Sequence, residues 1–363
     1  MEKDKGVIAV EGTRALARVG VQLGLVNKVL SDKEVVFEEE RRTNMQWKST
    51  NGTINISYPT NTEAIVLSQK KLATKVKGLN QEGIQLISLS SEIGLFKNLL
   101  ALGLPHHQLT NLPAEIGQLT NLTHLYLWNN HLTSLPTEIG QLTNLKDLRL
   151  DKNKLANLPT EIGQLANLEE LQLQYNQLTT LPTEIGQLTN LKNLWLYDNQ
   201  LITLPTEIGQ LTNLESLWLP NNELTSLPTE VGKLTNLKKL WLDDNQLTSL
   251  PTEIGQLTNL KELWLVDNQL TNLPTAIGQL TNLKQLRLGN NQLISLPTEI
   301  GQLTNLELLW LSNNQLTSLP MEIGQLTNLR SLNLDGNPIS HLERKRIKSM
   351  LPTNCSYTFY GCQ

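Results

Sequence analysis

Residues 122–144 read LTHLYLWNNHLTSLPTEIGQLTN, and this pattern recurs along most of the chain. Its period of 23 residues is most easily seen in the prolines, which stand at positions 113, 136, 159, 182, 205, 228, 251, 274, 297 and 320. Written from its first leucine, the unit is LxxLxLxxNxLxxLPxxIGxLxN, and ten copies run without an insertion from Leu99 to Asn328. A fixed period of this length indicates an array of stacked structural repeats.

Each unit divides into a strand, a turn and a helical segment. In residues 122–144, Leu125 and Leu127 alternate with other side chains, which predicts a short strand with its leucines on the buried face. Asn130 follows where the chain turns inward, and its amide is predicted to bond backbone groups of its own and the neighbouring turn. A Leu-Pro pair then fixes the next turn, Thr137 is the predicted N-cap, and EIGQL is predicted to form one helical turn.

One unit buries too few aliphatic side chains to offset the conformational entropy of its residues, so the units are expected to fold only as a stack. Consecutive strands then pair in parallel, and the wider helical side bends the stack. The predicted fold class is an α/β solenoid, an arc with a parallel β-sheet on the concave face, short helical turns on the convex face and a cap at each end.

The 23-residue unit with its LPxxIGxLxNL motif resembles leucine-rich repeat proteins of the short type. Similar repeats occur in bacterial repeat proteins and in cytoplasmic scaffolds of the Ras-binding and plant Ras-group leucine-rich families. The resemblance covers about residues 76–355, including LPTNCSYTF at 351–359, which is similar to the closing segment of the bacterial proteins. It implies a curved solenoid whose relatives mostly bind proteins or peptides on the concave face. The fold itself names no ligand.

The sequence predicts three regions. Residues 1–75 lack the motif and form an N-terminal α+β flank, with a helix predicted from Glu11 to Leu30 and a hairpin around Asn51-Gly52. Residues 76–342 form the array, with a diverged copy at 76–98, ten full copies at 99–328 and a partial copy at 329–342. Residues 343–363 are a C-terminal cap helix and strand. The flank is interpreted as the N-terminal cap, with an independent functional module as the alternative.

The C-terminal helix is predicted to open at Ser340, which with Glu343 forms a capping box, and to end at about Met350. Leu342, Ile347 and Leu351 are predicted to cover the last coil. The two cysteines of the chain, Cys355 and Cys362, are expected to be free thiols, and a local pair between them is left open.

Charge and motifs argue against several functions. The formal net charge is -4, so the chain has no broad positive field for nucleic acid. The sequence shows no signal peptide and no segment apolar enough to span a membrane, so a cytoplasmic location is expected, with signal-independent export left open.

No catalytic motif was found among GxxxxGK[ST], HExxH, GxSxG and paired CxxC, so no enzyme and no cofactor are predicted. Four of the five histidines lie in the first two full copies, at His106, His107, His124 and His131. No metal site is predicted from them, because His107 takes the inward asparagine position and the others are spread along the strand direction.

The residue between the two strand leucines differs from repeat to repeat, whereas the core positions hardly change. In chain order it reads Gly103, Tyr126, Arg149, Gln172, Trp195, Trp218, Trp241, Trp264, Arg287, Trp310 and Asn333. Rings one strand apart are predicted to stack, and Trp264, Arg287 and Trp310 are predicted to form a cation–π sandwich. Acidic side chains lie beside this column, at Asp198, Asp243, Asp244, Glu262 and Asp267.

These residues lead to a functional hypothesis. The chain is predicted to be a non-catalytic protein–protein interaction scaffold that binds a protein or a basic or apolar peptide on its concave face. The predicted ligand-binding residues are Tyr126, Arg149, Trp195, Trp218, Trp241, Trp264, Arg287, Trp310, Asp243 and Glu262. The alternative is a glycan-binding surface or secreted repeat protein, because tryptophans with flanking carboxylates also hold sugar rings. A ladder inherited passively by repeat duplication is a further alternative.

Overall fold

The computed structural model describes residues 42–49, 52–59, 64–66 and 85–359. The predicted helix at 11–30, the turn residue Asn51 and Cys362 lie outside them. The chain divides into two compact units, Met1–Glu170 and Leu171–Gln363, which are described separately. Within the described ranges, no helix is long and apolar enough to cross a membrane.

The first unit contains an antiparallel hairpin and a parallel sheet. Its strands are β1 Arg42–Ser49, β2 Gly52–Pro59, β3 Ala64–Val66, β4 Leu86–Ser88, β5 Ala101–Gly103, β6 His124–Tyr126 and β7 Asp147–Arg149. Strands β1 and β2 pair antiparallel with Ser49 opposite Gly52, which confirms the predicted hairpin. Strand β1 also pairs with β4. Strands β3, β5, β6 and β7 pair in parallel in that order. The 3-10 helices of this unit are Ser91–Leu95, Ala114–Gln118, Thr137–Gln141 and Thr160–Gln164.

Strand β8, Glu170–Gln172, contains the boundary between the units, and the second unit continues the pattern. Its strands are β9 Asn193–Trp195, β10 Ser216–Trp218, β11 Lys239–Trp241, β12 Glu262–Trp264, β13 Gln285–Arg287, β14 Leu308–Trp310, β15 Ser331–Asn333 and β16 Ser356–Thr358. Consecutive strands from β9 to β16 pair in parallel without a register shift, so equivalent residues of successive repeats face each other.

Each repeat of the second unit closes with a 3-10 helix. These helices are Thr183–Gln187, Thr206–Gln210, Thr229–Lys233, Thr252–Gln256, Thr275–Gln279, Thr298–Gln302 and Met321–Gln325. The predicted threonine N-cap is wrong, because the preceding proline occupies that position. Pro205, for example, has the extended angles φ -66° and ψ 150°, and Thr206 is already the first helical residue. The proline ring fixes φ and removes an N–H, so the helix starts without a side-chain cap.

The core is a layer of fully buried leucines and isoleucines on one side of the strands, including Leu194, Leu217 and Leu240. Close stacking also requires glycine in a 3-10 helix that packs against the helix of a following repeat. A Cβ atom added at Gly209 would lie 2.5 Å from the carbonyl oxygen of Glu230 in the next repeat. The glycine of the LPxxIG motif is therefore a packing requirement.

As predicted, the inward asparagines form a column of buried side-chain amides. The side-chain oxygen of Asn222 accepts a hydrogen bond of 3.0 Å from the Leu201 N–H, and its Nδ2 donates to the carbonyls of Leu196 and Leu219, each at 3.0 Å. The equivalent buried residues are Asn130, Asn153, Asn176, Asn199, Asn245, Asn268, Asn291, Asn314 and Asn337. In the first unit His107 takes the same position, and its Nδ1 lies 3.4 Å from the Leu86 N–H, which donates to it.

The C-terminal helix, α1, spans His341–Met350. Ser340 Oγ accepts a 3.2 Å hydrogen bond from the Glu343 N–H, which confirms Ser340 as the N-cap, whereas the Glu343 carboxylate accepts from the Leu319 N–H and Arg346 Nε. Ile347 is fully buried, whereas Leu342 is 79% exposed, so its predicted place over the last coil is wrong. At about 100° per residue, positions five apart differ by about 140° around a helix and cannot share one buried face. Cys355 is a buried free thiol.

Candidate functional site

The candidate site is a column of large side chains on the second unit, on the strand face opposite the leucine layer. We call it the ladder, and it consists of the last residue of each strand from β9 to β14, namely Trp195, Trp218, Trp241, Trp264, Arg287 and Trp310. Parallel strands lie about 4.8 Å apart, close to the stacking distance of aromatic rings. In-register pairing therefore brings the rings of neighbouring repeats into contact.

The tryptophan rings change from edge-on to stacked packing along the ladder. Trp195 and Trp218 meet edge to face, with centroids 4.7 Å apart and an interplanar angle of 71°. Trp218 and Trp241 are stacked at 5.1 Å and 17°. Trp241 and Trp264 are stacked at 4.0 Å and 3°. The central rings of the ladder thus cover each other's faces.

Arg287 continues the stack as a cation. Its Cζ atom lies 3.9 Å from the centroid of the Trp264 ring and 4.3 Å from that of the Trp310 ring, which confirms the predicted cation–π sandwich. Burial between the rings lowers the pKa of the guanidinium, and the negative charges of Asp243 and Glu262 oppose that shift. The two rings restrict the guanidinium to one plane.

The ladder is less exposed than its strand position suggests. We expected the rings to face solvent, but each of the five tryptophans is only partly exposed because its neighbours cover it. Their N–H groups also differ. Trp241 Nε1 donates to Glu262 Oε2 at 3.2 Å, whereas the Nε1 atoms of Trp218 and Trp264 are buried without an acceptor among the described residues. These two buried N–H groups are therefore unsatisfied within the ladder.

One margin of the ladder is acidic. Asp243 Oδ1 accepts a 2.8 Å hydrogen bond from the Val266 N–H. Burial raises the pKa of Asp243 to about 6, the negative charges of Asp244 and Asp267 add to the shift, and the Val266 bond and Arg287 oppose it. The pKa of Asp244 is also raised, by desolvation and then by Asp267 and Asp198. These carboxylates repel one another, so the margin attracts positive charge.

Three aspartates near this margin share a left-handed backbone conformation that the sequence motif did not reveal. Asp198, Asp244 and Asp267 have φ values of 54°, 54° and 55°, in the left-handed region that aspartate and asparagine tolerate better than most residues. Asn221, Asn290 and Asn313 hold the same position with similar angles. Asparagine thus meets the backbone requirement without charge, so the backbone alone does not explain why three of these positions carry aspartate.

A depression of about 420 Å³ lies at the C-terminal half of the ladder. Its lining includes Asp243, Asp244, Trp264, Arg287, Trp310 and Asn333. Glu262 lies at the other margin, where it accepts from Trp241 and its Oε1 is 3.8 Å from Lys239 Nζ. The depression therefore combines aromatic walls with acidic side chains at one end and the Arg287 guanidinium between two of the rings.

Two predicted site residues lie in a separate cluster of the first unit. Tyr126 is 5% exposed, and its hydroxyl donates to Asp147 Oδ2 at 3.0 Å. Arg149 pairs with the same carboxylate, with Nη2 2.9 Å from Oδ2, and its Cζ lies 4.7 Å from the Tyr126 ring. Burial and the Asp147 charge raise the pKa of Tyr126. The groups of this cluster satisfy one another, so the candidate site rests on the residues of the second unit.

Solved structures with the same repeat cover most of the chain. A leucine-rich repeat protein of Leptospira interrogans is 44% identical over 81% of this chain and 86% of its own, with a TM-score of 0.53. The plant peptide hormone receptor RGFR1, solved in complex with RGF2, is 31% identical over 75% of this chain and 49% of its own, with a TM-score of 0.59. A chain of the octameric complex of Latrophilin 3, Unc5D and FLRT2 is 27% identical over 74% of this chain and 85% of its own, with a TM-score of 0.63.

No curated protein sequence matches the chain. The family model described as leucine-rich repeat region matches residues 78–196, 137–241, 183–287 and 221–352, which overlap to span most of the sequence. These matches agree with the repeat units, parallel strands and 3-10 helices of both units, and the chain belongs to the leucine-rich repeat family.

Proposed function

We propose that this protein is a non-catalytic interaction scaffold that binds a protein or peptide through the ladder, on the face that the sequence predicts to be concave. The ladder carries this proposal, because its large side chains lie on the strand face opposite the buried leucine core. Partly exposed tryptophans and arginine are the residues that most often dominate binding energy at protein interfaces.

Two of the similar structures support a protein or peptide as the partner. The plant receptor RGFR1 was solved with RGF2, and the FLRT2 repeats were solved with Latrophilin 3 and Unc5D. Both are repeat proteins in complexes, and the present chain shares their repeat architecture over about three quarters of its length. Fold similarity indicates this class of partner but identifies no particular one.

The packing of the rings favours a peptide over a glycan. A sugar ring held by tryptophan stacks on the open face of the indole. The faces of Trp241 and Trp264 cover each other at 4.0 Å, so those two tryptophans present their edges to a ligand. Indole edges flanked by the carboxylates of Asp243 and Glu262 can contact the apolar and basic side chains of a peptide. The acidic margin adds specificity for that positive charge.

The proposal is tested by removing two central rings together. A display library of random peptides is selected on the wild-type protein, and the best binder is titrated by calorimetry against the double variant Trp218→Ser, Trp241→Ser. We expect at least about a tenfold loss of affinity, as for central aromatic anchors of an interface. Circular dichroism establishes that the variant remains folded.

The control is the double variant Glu207→Gln, Glu230→Gln, which changes two 3-10 helix residues whose carboxylates accept from the preceding threonines. It is expected to bind like the wild type. Full affinity in the tryptophan variant, or a loss confined to the glutamate control, would place the ligand elsewhere. Failure of the wild type to select any peptide would count against a peptide-binding function.

A further inference from the structure

Two arginines occupy the same position of the repeat but have different surroundings. Arg149 lies two residues after Asp147 on its strand, and its Nε and Nη2 donate three hydrogen bonds of 2.9 to 3.2 Å to that carboxylate. Arg287 lies two residues after Gln285, and Nη2 reaches the neutral Gln285 Oε1 only at 3.5 Å. One arginine is neutralised within its own strand, whereas the other is not.

The remaining contacts of Arg287 include no direct ion pair, although the charges of Asp243 and Glu262 act on it from a longer distance. Among the described residues, no carboxylate lies within ion-pair distance of it, and its Nε is buried without an acceptor. Trp264 and Trp310 hold the guanidinium from both sides, and the side chain lines the depression. A rigid, partly buried guanidinium without a carboxylate partner is prepared to bind an external anion.

We propose that Arg287 receives a carboxylate of the bound peptide, either the C-terminal carboxylate or an Asp or Glu side chain. This inference rests on the proposed function and specifies the chemistry of its ligand. A carboxylate fits because two of its oxygens match the planar guanidinium fork. A doubly charged phosphate fits less well, because Asp243 and Asp244 line the same depression and repel a second negative charge.

The same geometry predicts where the ligand carries positive charge. Asp243 and Asp244 follow strand β11, and Arg287 is the last residue of strand β13, so the acidic side chains and the guanidinium are two strands apart, about 10 Å. An extended peptide advances about 3.3 Å per residue, so this distance corresponds to about three residues. The ligand is therefore a peptide with Lys or Arg about three residues from its carboxylate.

The test uses three matched sets of synthetic peptides, each with one Lys and otherwise identical random positions that exclude Asp and Glu. The first set ends in a free carboxylate. The second has an amidated C-terminus and one Glu three residues from the Lys, and the third replaces that Glu with Gln. Binding is measured by titration against the wild type, Arg287→Gln and Arg287→Lys. Arg330→Gln is the control, because Arg330 immediately precedes β15 and its side chain is 73% exposed, with Nη1 3.9 Å from Glu307 Oε2.

We expect the wild type to bind the first or the second set at least about tenfold more tightly than the third. A preference for the first set identifies the C-terminal carboxylate, and a preference for the second identifies a side chain. Arg287→Gln should abolish the preference while still binding the neutral set, and Arg287→Lys should restore only part of it, since an ammonium lacks the planar fork. Arg330→Gln should behave like the wild type.

The failures of the two proposals are distinguishable. If peptides bind but the acidic and neutral sets bind equally, or if Arg287→Gln keeps the preference, the carboxylate site is wrong and the ladder remains a binding surface. If none of the three sets binds the wild type, the proposed peptide-binding function fails together with this inference. A purely structural Arg287 would lower the melting temperature of the variants without changing the ratio between sets.

Discussion

The indole rings of Trp241 and Trp264 are parallel to within 3°, with their centroids 4.0 Å apart. This distance is shorter than the spacing of about 4.8 Å between their strands, so the two side chains lean toward each other. We therefore expect the ladder to contribute to the stability of the fold as well as to its outer surface. The binding affinity and the free energy of unfolding of the tryptophan variants are therefore measured separately.

Trp241→Ser is expected to lower the free energy of unfolding by about 1 to 3 kcal/mol, because the ring stacks on both Trp218 and Trp264. Urea denaturation followed by circular dichroism measures the change. Trp195 lies at the end of the ladder and packs edge to face against Trp218, so Trp195→Ser should cost less. Equal costs for both variants would show that ring stacking does not contribute to stability.

Asn222→Ala is expected to cost about 1 to 3 kcal/mol, because it leaves the Leu201 N–H and the Leu196 and Leu219 carbonyls unsatisfied in the interior. Gln292→Ala changes an exposed position next to the buried Asn291 and should leave the melting temperature nearly unchanged. Scanning calorimetry on both variants checks this. Identical melting temperatures would contradict the assignment of the buried amides.

Gly209→Ala is expected to destabilise the protein by about 1 to 3 kcal/mol, because the new Cβ would lie 2.5 Å from the Glu230 carbonyl oxygen and force the repeats apart. Gly324 is the equivalent glycine of the last 3-10 helix, where the nearest atom, the Met350 carbonyl oxygen, is 3.4 Å away. Gly324→Ala should therefore be neutral or slightly stabilising. The melting temperatures of both variants are compared. The prediction is wrong if Gly324→Ala lowers the melting temperature as much as Gly209→Ala does.

Asp243 predicts a pH dependence of stability. Its pKa of about 6 lies above the ordinary value of 3.8, so the folded protein holds this proton more tightly than the unfolded chain. The resulting stabilisation is complete below about pH 4 and is lost as the pH rises through about 6. Asp243→Asn keeps an oxygen for the Val266 N–H and does not ionise. It should be more stable than the wild type by about 1 to 3 kcal/mol at pH 8 and no more stable at pH 4.

The unfolding free energies of both proteins are compared by urea denaturation at the two pH values. Glu230→Gln serves as the control for removing a carboxylate outside this margin. A constant gap between Asp243→Asn and the wild type at both pH values would show that Asp243 does not titrate in this range.

We propose that residues 1–75 cap the array, because β3, which belongs to this flank, pairs with β5, the strand of the first full repeat. Deleting residues 1–75 exposes that strand edge and the leucines behind it, and the truncated protein is expected to aggregate. Size-exclusion chromatography and thermal unfolding measure the effect. A monomeric truncation with an unchanged melting temperature would indicate that the flank is an independent module.

The period of the sequence was sufficient to predict the repeat architecture. When one period corresponds to one coil, in-register stacking places each residue beside the residue 23 positions away, so columns of the fold can be read directly from the sequence. This is why the sequence predicts the strand leucines, the buried asparagines and the sandwich of Arg287 between Trp264 and Trp310. The start of the 3-10 helix was missed, because the motif did not show whether Pro205 or Thr206 takes the cap.

The tertiary structure decided how the members of each column differ from one another. Tyr126 is buried because the neighbouring repeat supplies Asp147 to its hydroxyl, whereas Trp264 finds no acceptor for its N–H among the described residues. Asp243 has a raised pKa because of its burial beside the ladder, which its spacing alone does not indicate. These properties depend on ring orientation and on the side chains of adjacent strands. A periodic sequence determines which residues are neighbours, and only the packed structure determines which of their polar groups are satisfied and which remain available to a ligand.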